Sequence, residues 1–161
     1  MNKKNELSYE KAEEMALKLL KSRQTVRKLN EKLRRKGFDR ETAELVCEKM
    51  KQLGYLNDAD YAEAFVHDCT FIRRYGPRKI RQALFQRGIC SSDAKSALEQ
   101  LDEEIHLENL RFLLIKATDG TDTLTEYEAG RFYRRMISRG FLHGQIEAVL
   151  AEITVTQENY E

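Results

Sequence analysis

Lys28-Leu29-Asn30-Glu31-Lys32-Leu33-Arg34-Arg35-Lys36-Gly37-Phe38 is the stretch on which the reading of this chain turns. It returns as Lys79-Ile80-Arg81-Gln82-Ala83-Leu84-Phe85-Gln86-Arg87-Gly88-Ile89, and again as Arg131-Phe132-Tyr133-Arg134-Arg135-Met136-Ile137-Ser138-Arg139-Gly140-Phe141. The three glycines lie 51 and 52 residues apart. Each copy runs cation, apolar residue, a second apolar residue four positions on, cation, then Gly and a large apolar side chain. Recurrence at a near-fixed period is the signature of one supersecondary unit repeated in tandem. The closing Gly-apolar pair is a helix stop. A Schellman turn needs a left-handed residue just past the helix, and Gly adopts that conformation at least cost. The next residue packs back on the last helical turn, pairing Leu33 with Phe38, Leu84 with Ile89, and Met136 with Phe141. Met50, Gly54 and Tyr55 repeat the same stop at the end of the first unit.

Working outward, each copy is followed by an apolar helical pattern: Ala43, Val46, Cys47, Met50; then Ala94, Ala97, Leu98, Leu101; then Ile146, Val149, Leu150, Ile153. Each is also preceded by one. Ala12, Met15, Ala16, Leu19 and Leu20 open the first unit, Tyr61, Ala62, Phe65, Val66 and Cys69 the second, and Leu110, Leu113, Leu114 and Ala117 the third. Start signals stand at Ser8, Asp39, Asn57 with Asp60, Ser91, and the capping box Thr125 to Glu128. Pro77 suits a first helical turn, with Gly76 as the break before it. No run alternates apolar and polar residues as a half-buried strand would. The expected fold is all-α, with nine helices in three tandem three-helix repeats forming an elongated array. The units are residues 8–56, 57–101 and 102–154, followed by an acidic tail at 155–161. The longest loop is expected near Thr118 to Leu124.

The 161 residues carry a formal net charge of only +1, but the charges are segregated. Lys18 to Arg40 holds ten Lys or Arg against Glu31 and Asp39, Arg73 to Arg87 holds six against none, and Arg131 to Arg139 four against none. Acids gather at Glu99 to Glu108, Asp119 to Glu128 and Glu147 to Glu161. The basic segments thus coincide with the repeated stretch, the middle helix of every unit. Solvated faces paired by salt bridges are the ordinary explanation of such runs. No apolar run is long enough to span a membrane, and no secretory signal precedes the first helix. Three well-separated cysteines, Cys47, Cys69 and Cys90, suggest no disulfide framework. Together these predict a cytoplasmic protein.

No catalytic constellation emerges. The chain has no phosphate-cradling or dinucleotide loop, and His67, His106 and His143 are scattered. His67 beside Cys69 lacks the paired spacing of a zinc site. Cys47 and Cys69 fall on apolar stripes, where small core side chains belong. Asp58 and Asp60 suit a helix N-terminus. No enzyme activity, cofactor or metal is expected. On a helical wheel with Ile80 and Leu84 inward, Arg78, Arg81 and Phe85 face out, as do Tyr133, Arg134 and Ile137 in the third copy and Arg27 and Arg34 in the first. Arginine beside an exposed aromatic suits a macromolecular contact, unless Phe85 and Ile137 pack on a neighbouring unit. The candidate partner-binding set is Arg27, Lys28, Arg34, Arg73, Arg74, Arg78, Lys79, Arg81, Phe85, Arg87, Arg131, Arg134 and Arg135.

Lys28-Leu29…Lys36-Gly37-Phe38, Gly54-Tyr55-Leu56-Asn57-Asp58…Tyr61-Ala62…Phe65-Val66, Gly76-Pro77-Arg78-Lys79-Ile80…Leu84…Arg87-Gly88-Ile89 and Arg139-Gly140-Phe141…Ile146…Val149-Leu150 resemble the RecX family of bacterial recombination regulators. The resemblance spans about residues 10 to 153 and is most specific in the middle unit. It departs at Thr25-Val26, where the family more often has an acidic residue and Leu. The resemblance implies helix-turn-helix-like repeats in an elongated curved body, and the stop signals and periodicity a monomer; the implied partner is RecA polymerised on single-stranded DNA, with a weak direct DNA contact possible. It also implies inhibition of filament growth and hence of ATP hydrolysis, strand exchange and the co-protease function behind the SOS response. The other function class is a helix-turn-helix-like transcription regulator, whose palindromic operator suits three unlike faces poorly.

Overall fold

In a computed structural model, residues 3–156 are described. Their order is α1 (Lys3–Leu19), α2 (Val26–Arg35), α3 (Arg40–Gln52), α4 (Asp58–His67), a π-helical turn (Asp68–Ile72), α5 (Pro77–Gln86) and α6 (Ser91–Glu99). Then come α7 (Glu103–Ala117), β1 (Thr123–Thr125), α8 (Glu126–Ser138), α9 (His143–Leu150) and β2 (Thr154–Thr156). The fold is all-α, in three-helix repeats. Among the described residues, nine α-helices are accompanied by two elements absent from the sequence reading, the π turn and a small sheet.

All four expected helix stops are Schellman turns. Gly37, Gly54, Gly88 and Gly140 have φ between +78° and +95°. In each, the amide three residues past the helix reaches back to the carbonyl five residues earlier: Phe38 to Leu33, Tyr55 to Met50, Ile89 to Leu84, Phe141 to Met136. A fifth left-handed glycine, Gly120, closes α7. Starts follow the expected caps at Asp39, which accepts from the Thr42 amide at 2.8 Å, and at Asn57, which accepts from Ala59 and Asp60. The Thr125–Glu128 capping box is complete, and Pro77 is the first residue of α5. Two starts differ. α1 begins at Lys3, so Ser8 lies inside it and is not its N-cap; of the five residues before Ser8, Lys3, Lys4, Glu6 and Leu7 are good helix formers. Ser91 is itself the first residue of α6, with Cys90 before it.

The described residues form two compact units. One comprises residues up to Ala64 with Leu84–Ala94, the other Phe65–Ala83 with residues from Lys95 onward, so the middle repeat contributes to both. The first unit buries Ala12, Ala16, Leu29, Leu33, Ala43, Val46, Cys47, Met50 and Leu56 in one cluster. Burial drives the Cys47 thiol pKa up to about 11, an inert core thiol. The second unit buries Leu110, Leu114, Leu124, Phe132, Met136, Phe141, Ile146 and Val149.

In that second unit β1 and β2 pair in parallel, Thr123 with Thr154, Leu124 with Val155 and Thr125 with Thr156. This small sheet is an addition to an otherwise helical chain; Gln157 to Glu161, the rest of the expected acidic tail, lie outside the described residues. Arg111 ties the same region, bonding both carboxylate oxygens of Glu152 at 2.8–3.0 Å and Glu104 as well. Tyr133 and Ile137, expected to face outward, are half-buried against this core, with Tyr133 hydrogen-bonded to His143. Of that trio only Arg134 is exposed.

Candidate basic interface on the repeated helices

The cations are carried by α2, α5 and α8 because each helix spends its two apolar positions on the core. In α5, Ile80 and Leu84 are both 0% exposed. With 3.6 residues per turn, Arg78, Arg81 and Phe85 then point outward. They do so, and Phe85 is 71% exposed.

In the first unit, Arg27, Lys28 and Arg34 are exposed on α2. Arg27 is committed to Glu31 at 3.0 Å. α2 is capped by Thr25, whose side chain accepts from the Lys28 amide and donates to the Arg87 carbonyl at 2.8 Å. The Asp58 carboxylate takes the Val26 amide at 3.0 Å, supplying the negative group that the first turn of α2 lacks. The start of α2 therefore abuts the end of α5 closely: a Cβ at Gly88 would fall 2.5 Å from Cδ of Arg27. That junction brings Arg27, Phe85 and Arg87 into one neighbourhood.

The second unit repeats the junction one helix later. The Gly76 and Arg78 amides donate to the carbonyls of Arg139 and Gly140, at 2.9 and 3.0 Å. Gly76 and Gly140 allow this approach, since a Cβ on either would overlap the facing backbone. Around it, Lys79 sits 4.3 Å above the Tyr75 ring, Arg139 5.6 Å from it, and Arg139 donates to the Arg73 carbonyl at 3.3 Å. Arg139, absent from the sequence-derived set, thus belongs to this cluster; its place at the end of the third repeated stretch was the available signal.

Arg74 takes a left-handed backbone, φ +51°, unusual for a side chain of its size. Such strain costs on the order of 1–3 kcal/mol and persists only where surroundings impose it. Here its guanidinium lies 3.7 Å from the Phe112 ring centre and bonds Asn109, whose amide donates to the Thr70 carbonyl at 3.0 Å. Arg73, Arg78, Lys79, Arg81, Arg131, Arg134 and Arg135 form no ion pair with the described acids. The i,i+4 pairs lie elsewhere, at Glu14–Lys18, Arg27–Glu31, Arg40–Glu44 and Lys95–Glu99. Neutralised salt-bridge faces therefore do not account for most of the cations of α5 and α8; Arg131 lies near enough to Glu128 to help lower its carboxyl pKa.

Among the described residues no group of three His, Cys, Asp or Glu is placed to hold a metal, and no helix is long and apolar enough to cross a membrane. A family model described as the second three-helix domain of RecX matches residues 57–98. The regulatory protein RecX of Clostridium botulinum is 30% identical over 146 residues, which cover 88% of this chain and 68% of that protein. The chain belongs to the RecX family. RecX of Amycolatopsis mediterranei is likewise 30% identical, over 89% of this chain and 83% of its own length. The crystal structure of RecX from Lactobacillus salivarius superimposes with a TM-score of 0.81 at 22% identity, covering 90% of this chain and 96% of that one. A second RecX crystal structure gives 0.80 at 24% identity. These two likenesses concern the fold.

Proposed function

We propose that this RecX-family chain is a negative regulator of RecA that binds the RecA filament on single-stranded DNA and limits its extension. ATP hydrolysis, strand exchange and co-protease activity fall as a consequence, which places the protein in recombinational repair and control of the SOS response. It acts by binding, as a cytoplasmic monomer, with repeats at residues 8–56, 57–101 and 102–154 and no chemical step of its own. The observation that carries this reading is the family membership. The unpaired cations of α5 and α8 support it, because a filament offers carboxylates on protein and phosphates on DNA. Charged groups of this kind set association rate and specificity more than area does.

The interface is assigned to Arg73, Arg78, Lys79, Arg81, Arg131, Arg134 and Arg135, with Arg27, Lys28, Arg34, Phe85 and Arg87 on the first unit, and Arg74 as a fixed support. The deciding experiment titrates the chain into cognate RecA hydrolysing ATP on single-stranded DNA. Inhibition at fewer chains than RecA subunits is expected, since halting growth of a polymer needs few molecules. No inhibition at any ratio refutes the assignment.

A further inference from the structure

The geometry points to a second interaction surface, on α7 and the π turn, that takes an acidic peptide segment bearing large apolar side chains. The extra residue in the π turn changes which side chains face out. Cys69 and Thr70 turn inward and are buried, leaving Ile72 72% exposed at the turn's end. On α7, which packs against that turn, Leu110 and Leu114 fill the core, while Phe112 and Ile115, three residues apart, stay outside, Ile115 at 61%. Singly scattered apolar residues need no explanation, but neighbours on one face do.

Two cations are set on this apolar floor. Arg74 lies 3.7 Å and Lys116 4.6 Å from the Phe112 ring centre. Neither pairs with a described acid, and the left-handed backbone of Arg74 is spent on holding its guanidinium there. An occupant must therefore bring carboxylates to Arg74 and Lys116 and apolar groups to Ile72, Phe112 and Ile115. Glu108, exposed one turn before Phe112, repels carboxylates at the other end and fixes the direction of docking. A nucleic acid strand meets the cations as well, but gains nothing from Ile72 or Ile115. An acidic amphipathic segment uses both.

The test is fluorescence anisotropy of the full chain with a labelled peptide of glutamates and leucines at helical spacing. Controls replace its leucines by serine or its glutamates by lysine, and add labelled oligothymidylate. The glutamate–leucine peptide is expected to bind best. Ile115→Glu with Lys116→Glu, and separately Ile72→Ser, should each weaken it by about tenfold with unchanged melting. The inference is overturned if the serine peptide binds equally well, if neither variant weakens binding, or if the variants lose oligothymidylate binding instead. RecA inhibition is not the readout, so either outcome leaves the proposed function standing on its own test.

Discussion

Arg78 and Arg81 are exposed, unpaired and flank the outward Phe85. Reversing both, Arg78→Glu with Arg81→Glu, should abolish RecA inhibition while the melting transition moves little, because surface changes of this kind usually stay within about 0.5 kcal/mol. Full inhibition by the double variant would place the interface on another face. Phe85→Ala should weaken binding without the roughly 3–5 kcal/mol stability loss of a buried Phe truncation, since its ring has little of the protein to lose. His106 offers a pH test. It is buried, its Nδ1 has no partner, and desolvation lowers its pKa, with Glu103 opposing weakly. The unfolded chain then takes up the proton first as pH falls through about 6.5. Stability is unaffected above that value and declines below it, through the folded-state pKa. Urea midpoints at pH 7.5 and 5.5 should differ more in the wild type than in His106→Leu.

The glycine stops separate two effects of one substitution. Gly37 and Gly88 share a left-handed backbone, but a Cβ at Gly37 meets nothing whereas one at Gly88 strikes Arg27. Gly88→Val should therefore cost more than Gly37→Val, whose loss is the ~1–2 kcal/mol of strain alone; equal melting points would remove the steric part of the argument. These stops, the caps and the inward pairs were legible in sequence because each is local, set by residues within six positions. What was missed is non-local or depends on a slip in register. β1 and β2 are three residues each, too short to show alternation, and they find one another across 31 positions. The π turn packs against α7, and Ile72 at its end is exposed; neither is set by neighbours in sequence. The basic helices were visible as charge, but which cations stay unpaired depends on where the acids of other segments fall.

For the molecule as a whole, salt dependence separates the two function classes. Affinity for naked duplex DNA through these cations should drop steeply with salt, with a log–log slope of about −0.9 per neutralised phosphate and little sequence preference. A tight complex with one duplex sequence, surviving moderate salt, would favour a transcription regulator. The pairing of Thr123–Thr125 with Thr154–Thr156 has a consequence for the energetics of the chain between them. It closes α8 and α9 into a tethered loop, much as a covalent staple would. The entropy of closing a loop grows only with the logarithm of its length. A stop codon at Thr154 would release the whole tether, turning α9 from a span held at both ends into a fraying terminus whose amides exchange with solvent soonest in the unit.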